Sequence, residues 1–261
     1  MILRLTGGKV SLLPADFLFR MEIKVMDIIE QKLDEIIAEY NYLMTGIEQE
    51  ALTASDRYYG GVIRAGKGKF LEKMTEKLVE IAWTDVLKQN PERMKINKKK
   101  MPIGITEGYP SRISDEEIKK YVEKHRSELV YKFGTDVQVF IDGKLVLPIE
   151  CKTFCENAML KRILVDATLM KEAVGKNVYY LIQLESQLGG DYSQLNDITY
   201  GSPATHALMS HFDVELKIIT LLKGERNVDR PIHKPEFFKK LEKSQLKKAV
   251  YIFADGLREY I

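Results

Sequence analysis

Hydrophobic side chains recur every three or four positions in two N-terminal segments. The stripe from Phe19 to Tyr42 and the one from about Lys69 to Leu87 each predict an amphipathic helix. Between them, the segment from Ser55 to Gly68 combines basic residues with glycines. It is typical of a flexible, basic lead-in to the second helix.

The next part of the chain is polar and rich in lysine. Pro91 to Pro110 has no clear period and predicts an exposed loop or linker. Ser114 followed by Glu117 matches a capping box, so we expect a helix from there to about Arg126.

Helices and strands then alternate to the end of the chain. The hydrophobic pattern predicts a helix over Glu156 to Val174, a strand over Val178 to Leu184, a loop from Gly189 to Pro203, a short helix over His206 to Phe212, a strand over Glu215 to Leu222 and a helical tail from Pro235 to Tyr260. Together with the hairpin described next, this order indicates a mixed α/β domain.

In two segments, Thr135 to Ile141 and Lys144 to Lys152, apolar residues recur at every second position, although Phe140, Val146 and Pro148 between them are apolar too. We expect the odd-numbered apolar residues to face the core: Val137, Val139, Ile141, Leu145, Leu147 and Ile149. A two-residue turn at Asp142 and Gly143 would place the two apolar rows on opposite faces. A three-residue loop, Ile141 to Gly143 with a left-handed glycine in a bulge, keeps them on one face and is therefore predicted.

The same register brings Asp136, Glu150 and Lys152 to the other face, near the open end of the hairpin. Two carboxylates on adjacent strands can bind a hard divalent cation, and a lysine beside them can orient water or stabilise charge on a phosphate. Such a set suits phosphodiester hydrolysis. The alternative is a hairpin whose polar face meets only solvent, and spacing alone favours that alternative.

Asp136 and, fourteen positions further on, Glu150-Cys151-Lys152 resemble the motif of the PD-(D/E)XK nuclease superfamily, with Thr135 in place of the motif's proline. The resemblance covers about Arg64 to Leu184. It implies an αβββαβ core like that of restriction endonucleases, with Asp136 and Glu150 binding Mg²⁺ and Lys152 assisting the attacking water.

A second resemblance lies in Arg64 to Glu72, which is similar to the segment that opens the first core helix of many type II restriction endonucleases. It implies that Glu72 lies near the metal site as a further catalytic residue. Glu76, one turn on, is the competing position, and a solvated helix glutamate is the alternative to both. The two resemblances together imply a homodimer that cuts a short sequence in double-stranded DNA.

Basic and amide side chains elsewhere are candidates for binding that DNA. Arginine and asparagine read guanine and adenine edges, so the loop with Arg226, Asn227 and Arg230 is a candidate reader, with a plain solvated loop as the alternative. Expected phosphate contacts come from basic residues outside this loop: Arg64, Lys67, Lys98, Lys99 and Lys100. Lys161, Arg162 and Asp166, on the helix after the hairpin, are interpreted as an ordinary solvated face, with the approach of one of them to phosphate or metal as the alternative.

Composition sets the remaining bounds. The 261 residues carry a net charge of only +2, so any attraction to DNA must come from local patches. Only 2 cysteines are present, and Cys151, at a core-facing position, favours a buried thiol over a zinc ligand. Without a leader or a long apolar run, we expect a cytoplasmic protein with no membrane contact.

We expect one nuclease domain over residues 1–261, with a helical part at about 1–60, a catalytic core at about 61–185 and a strand and helix addition at about 186–261. A structure-specific repair nuclease or Holliday-junction resolvase of the same fold stays open as an alternative. So does an inactive DNA-binding module.

Overall fold

The structure is a computed structural model, and it describes residues 3–6, 9–12, 15–51, 56–176, 178–189, 201–227, 229–230 and 235–261. Side chains are described from residue 26 onward, apart from those of 47–65 and 235 within that range.

Nine strands lie in these ranges: β1 Leu3–Thr6, β2 Lys9–Leu12, β3 Met94–Asn97, β4 Met101–Gly104, β5 Val130–Phe133, β6 Val137–Ile141, β7 Lys144–Glu156, β8 Val178–Gln187 and β9 Glu215–Thr220. The α-helices there are α1 Ala15–Ala51, α2 Asp56–Glu80, α3 Glu116–Lys124, α4 Asn157–Val174, α5 Pro203–Met209 and α6 Lys243–Leu257. A π-helical turn, Ile81–Val86, continues α2, and short 3₁₀ turns cover Pro91–Arg93, Pro110–Arg112, Pro235–Phe237 and Arg258–Tyr260.

A five-stranded mixed sheet in the order β3-β6-β7-β8-β9 forms the centre of the protein. Strands β3, β6 and β7 pair antiparallel, whereas β7, β8 and β9 run parallel. Along the chain, α2, β3, β6, β7, α4 and β8 follow one another with β4, α3 and β5 inserted after β3. The predicted mixed α/β fold with an αβββαβ core is confirmed.

Helices cover both faces of this sheet. One apolar cluster joins residues of α1, α2 and α6 to the inner side chains of β6 and β7, and a second joins α4 to β8. Neighbouring residues of β8 belong to different clusters, Tyr179 and Leu181 to the second, Tyr180 and Ile182 to the first. The central strands are therefore buried on both faces, as expected for the parallel part of a sheet.

The predicted flexible lead-in from Ser55 to Gly68 is wrong, because α2 begins at Asp56 and includes this segment apart from Ser55, which lies outside the described residues. Helix α2 packs against α1 and the sheet, and such packing overrides the low helix propensity of glycine. Gly66 lies inside the helix, and a Cβ there would meet Leu43 of α1 at 3.8 Å.

The linker expected over Pro91 to Pro110 is also wrong, since it contains β3 and β4. In β3 the half-buried Met94 and Ile96 alternate with exposed residues, as in an edge strand. The lysines that follow obscured this short alternation. Strand β5 was not predicted at all, and its first three residues are exposed.

Smaller corrections concern the ends of helices and strands. The cap of α3 is Asp115 and not Ser114; its carboxylate accepts from the N–H groups of Glu117 and Ile118 at 2.9 and 3.0 Å. Strand β8 continues three residues past Leu184, α5 begins at Pro203, and the tail becomes α-helical only at Lys243. Most of the predicted loop from Gly189 to Pro203 lies outside the described residues.

The hairpin turn also differs from the prediction. Ile141 pairs with Lys144, so Asp142 and Gly143 form a two-residue turn with positive φ angles of 49° and 82°. A bulge then shifts the register: Phe140 pairs with Leu145, but Val139 pairs with Leu147.

Because of the bulge, the hairpin has the predicted apolar face and the predicted charged face although its turn differs. Val146 takes the core position expected of Leu145, which packs instead against the second cluster. Beyond the bulge Val137 pairs with Ile149, and Asp136 and Glu150 lie on one face as the alternation requires.

Candidate active site

Asp136 lies just before β6, and the backbone of β7 holds its carboxylate in place. The N–H of Cys151 donates to Oδ2 of Asp136 at 2.9 Å. The strand that carries Glu150 and Lys152 thus also orients the third charged residue.

The ammonium group of Lys152 lies where three oxygen atoms converge. Its Nζ is 2.5 Å from Oε1 of Glu150, 3.3 Å from the carbonyl oxygen of Cys151 and 3.4 Å from Oδ2 of Asp136. The side chains of Lys152 and Asp136 are each 31% exposed and that of Glu150 is 14% exposed. The structure therefore brings together the three residues singled out from the hairpin, in a partly buried cluster that solvent can enter.

Burial and charge act against each other in this cluster. Burial raises the pKa of Glu150, the neighbouring Asp136 raises it further, and Lys152 opposes the change without cancelling it. Burial would lower the pKa of Lys152, but Glu150 and Asp136 outweigh burial, and that pKa is raised. Lys152 is accordingly an ammonium ion at neutral pH, next to a carboxylate that is costly to ionise.

Helix α4 adds a third carboxylate, Asp166. Burial raises the pKa of Asp166, although the positive charges of Arg162 and Lys152 lower it in part. The negative charge of Asp166 in turn helps to raise the pKa of Glu150. The hydroxyl of Tyr179 on β8 has a pKa raised by burial and by Glu150 and Asp166. Asp166 is half-buried and its charge acts on Glu150, so this position agrees better with the alternative, an approach to the site, than with a plain solvated helix face.

Helix α2 approaches the cluster from the other side of the sheet. The thiol of Cys151 lies 3.6 Å from the hydroxyl of Thr75, and burial raises the pKa of this thiol, as expected for an unreactive buried cysteine. Glu72, one turn before Thr75, forms an ion pair with Lys98, whose pKa is raised by that bond and by the charge of Asp136. The charge of Glu76 also raises the pKa of Lys98, and Glu76 lines a cavity of about 400 Å³ together with Lys32 of α1 and with Met94 and Ile96 of β3.

The donor set of the cluster fits a hard divalent cation. Asp136 and Glu150 offer carboxylate oxygens, and Cys151 offers a carbonyl oxygen. All three surround the positively charged ammonium group of Lys152. Within the described ranges no group of three or more His, Cys, Asp and Glu side chains gathers to hold a metal. A cation that keeps several waters, as small hard cations do, needs no more protein ligands than this.

Comparison with known proteins assigns the chain to a family. No protein-family model matches it. It is, however, 47% identical over 234 residues to the type II restriction enzyme DdeI of Desulfomicrobium norvegicum, covering 88% of this chain and 98% of that protein. The chain belongs to the type II restriction enzymes. It is a sequence-specific endonuclease of double-stranded DNA. This favours the predicted restriction enzyme over the alternative of a structure-specific repair nuclease.

A solved structure described as the native BbvCI A2B2 tetramer at low resolution resembles this restriction enzyme only distantly. The two share 12% identity with a TM-score of 0.38, over 95% of this chain and 93% of that chain. A likeness this weak carries no argument about the site. In the described part of the enzyme, no helix is both long and apolar enough to span a membrane.

The expected phosphate-binding residues of the restriction enzyme occupy different environments. Lys67 is only 3% exposed, and its Nζ lies 5.7 Å from the ring centroid of Phe238. Burial lowers the pKa of Lys67 to about 8, against the field of Glu185. This buried position does not fit a surface contact with DNA, and the expectation for Lys67 is corrected accordingly.

Two other lysines fit the expectation better. Lys99 and Lys100 are exposed, whereas Lys98 is tied to Glu72. The side chain of Arg64 lies outside the described side chains.

The three candidate base-reading residues of the restriction enzyme also differ in their exposure to solvent. Asn227 and Arg230 are exposed, so they remain available to a bound duplex. Arg226 is half-buried, with its guanidinium carbon 3.8 Å from the ring centroid of Phe154 and Nη1 2.6 Å from Oε1 of Gln187. The sequence held no signal for this inward orientation, because both contacts join segments far apart along the chain.

Proposed function

We propose that this restriction enzyme cuts DNA at the cluster of Asp136, Glu150 and Lys152, as a member of the PD-(D/E)XK superfamily. The observation that carries the proposal is the convergence of three oxygens on the Lys152 ammonium, within 3.4 Å. A solvated hairpin face has no need to gather these groups at partly buried positions against opposing desolvation.

Asp136 and Glu150, with the Cys151 carbonyl, would hold the divalent metal that enzymes of this class generally use. We propose Mg²⁺, because all these donors are oxygens. When bound, the metal supplies Lewis-acid stabilisation of charge on the scissile phosphate.

Lys152 acts in its charged form in this proposal, because the two carboxylates raise its pKa. As an ammonium group it donates hydrogen bonds, which can orient the attacking water or stabilise charge that develops on the phosphate. It is proposed as an electrostatic and orienting group.

Glu72 is proposed to support the same site from α2. Its carboxylate holds Lys98, and the charge of Glu72 is felt by Cys151 in the catalytic strand. Either as a further ligand through water or as the anchor of Lys98, Glu72 would influence catalysis. Glu76 faces a different cavity and is the weaker candidate.

The enzyme is proposed to bind its duplex through two kinds of exposed residue. Lys99 and Lys100 would contact phosphates, while Asn227 and Arg230 would read base edges. A homodimer matches a palindromic site most simply, each subunit cutting one strand.

Digestion of plasmid DNA tests this function. With Mg²⁺ or Mn²⁺ we expect discrete fragments, suppressed by Ca²⁺, which is larger and tolerates irregular geometry. Undiminished cutting in excess EDTA would contradict the metal role, and a smear would contradict sequence-specific cutting. Intact DNA under all these conditions would support the inactive module. Sedimentation of the free protein and of its DNA complex tests the homodimer.

A further inference from the structure

The segment after β9 follows the end of β8 for several residues. The N–H groups of Leu221 and Leu222 donate to Gln183 and Leu184 of β8 at 3.0 and 2.9 Å. The N–H of Arg226 then donates to the carbonyl of Ser186 at 2.7 Å. The loop that carries Asn227 and Arg230 is therefore attached to the sheet by its backbone.

The side chain of Arg226 reaches across two strands. It bonds Gln187 of β8 and stacks on Phe154 of β7, two residues after Lys152. These strands pair in parallel there, Glu156 opposite Gln187. One guanidinium group thus connects the loop, β8 and the strand that carries the catalytic lysine.

Lys239 holds the start of the same loop. Its Nζ donates to the carbonyls of Gly224 and Glu225 at 2.6 and 3.2 Å and pairs with Glu185 at 2.9 Å. Glu185 is only 2% exposed and the side chain of Lys239 is 25% exposed, so this pair is largely shielded from solvent. Partly buried contacts therefore hold both ends of the segment Gly224 to Arg226.

We infer that Arg226 is a positioning residue, which couples the DNA-reading loop to the catalytic strand through Phe154 and Gln187, and is not itself a base reader. This inference rests on the proposed function of the cluster around Lys152. To reach a base, Arg226 would have to leave the ring and the amide, whereas Asn227 and Arg230 already face outward.

The geometry suggests how the coupling works. Stacking on the Phe154 ring and the bond to Gln187 fix the guanidinium group in two directions, so a shift of the loop on DNA binding displaces β7 near Lys152. Small displacements of a catalytic group are costly, since an error of about 1 Å can lower a rate roughly 100-fold.

The test compares Arg226→Gln with Phe154→Leu, which leaves the arginine free to reach DNA. For each variant one measures the single-turnover cleavage rate and the ratio of affinities for the cleaved duplex and for duplexes with one base changed. The cleaved sequence is taken from mapped fragments of the wild-type digest. Phe154→Tyr, which keeps the ring, and Lys240→Gln, which removes an exposed positive charge, are the controls.

A positioning role predicts that Arg226→Gln and Phe154→Leu lose rate by similar factors, roughly 10- to 100-fold. The affinity ratio should stay unchanged, the double variant should be no slower than the worse single one, and Phe154→Tyr and Lys240→Gln should cut normally. If Arg226→Gln loses the affinity ratio while Phe154→Leu cuts normally, Arg226 is a base reader and the inference is overturned. Normal cutting by both variants overturns it too.

Failure of the proposed site is recognised separately, because Lys152→Ala would then cut normally whatever the Arg226 variants do. If Arg226→Gln does not fold, the comparison of Phe154→Leu with Phe154→Tyr decides alone.

Discussion

The backbone N–H of Cys151 donates to the Asp136 carboxylate over 2.9 Å, across the two strands of the hairpin. The bond needs an oxygen acceptor but not a charged one. Orientation of this side chain and its charge can therefore be separated by substitution.

Asp136→Asn keeps an oxygen that can accept from Cys151, but it removes the negative charge next to Lys152 and Glu150. We expect an unchanged melting temperature and a single-turnover cleavage rate lowered by about 100-fold or more, because a metal ligand is removed. Asp142→Asn, at the exposed hairpin turn, is the matched control and should cut normally. Near-normal cutting by Asp136→Asn would remove this residue from the site.

Glu72→Gln should slow cleavage by about tenfold or more. The substitution breaks the ion pair with Lys98, and it removes a negative charge that acts on Cys151 of β7. Glu76→Gln, one turn on along the same helix, should change the rate by less than about twofold, because its side chain faces the cavity beside Lys32. Steady-state cleavage at saturating DNA compares the two. The reverse order of effects would exchange their roles.

The sequence predicted correctly that Asp136 and Glu150 share a face of the hairpin, but it did not predict the turn that joins the two strands. Alternation placed Asp136 and Glu150 together whichever way the strands joined, provided that the apolar rows shared a face. The turn itself depended on a bulge at Val146, which allows the adjacent residues Val146 and Leu147 both to pack into the first apolar cluster. A binary pattern does not distinguish a three-residue loop from a two-residue turn followed by a bulge.

Long-range contacts explain what else could not be foreseen. Lys67 reads as a surface cation in a glycine-containing segment, yet α2 places it against Phe238, more than a hundred residues away. Strand β3 is only four residues long, and its partner β6 defines it better than its own sequence does. In both cases the decisive neighbour is set by tertiary packing.

The buried Lys67 should make stability depend on pH. Its folded pKa is about 8, lower than the ordinary 10.5, so between these values the unfolded state binds more protons. The free energy of unfolding contributed by this group therefore rises with pH across that window. Denaturant titrations at pH 7.5 and 10 should show that Lys67→Met removes roughly 1–3 kcal/mol of this rise. An identical pH dependence in both proteins would place Lys67 in solvent.

Recognition and affinity should respond to different residues. Asn227→Ala and Arg230→Ala should weaken binding to the cleaved sequence more than to other duplexes, by roughly 1–3 kcal/mol for each base edge that the variant no longer reads. Lys99→Ala and Lys100→Ala should weaken both about equally and reduce the salt dependence of binding. Fluorescence anisotropy at several salt concentrations measures these effects. If the first pair weakens binding to all duplexes in parallel, the loop is a phosphate clamp.

The most direct test of the catalytic site is the single-turnover cleavage rate of Lys152→Ala beside Lys144→Ala on the same strand. Lys152 contacts both carboxylates, whereas Lys144 lies exposed at the hairpin turn. We predict that Lys152→Ala folds and binds DNA but cuts at least roughly 100-fold more slowly, while Lys144→Ala cuts normally. Cleavage by folded Lys152→Ala at the rate of Lys144→Ala would contradict the proposed active site.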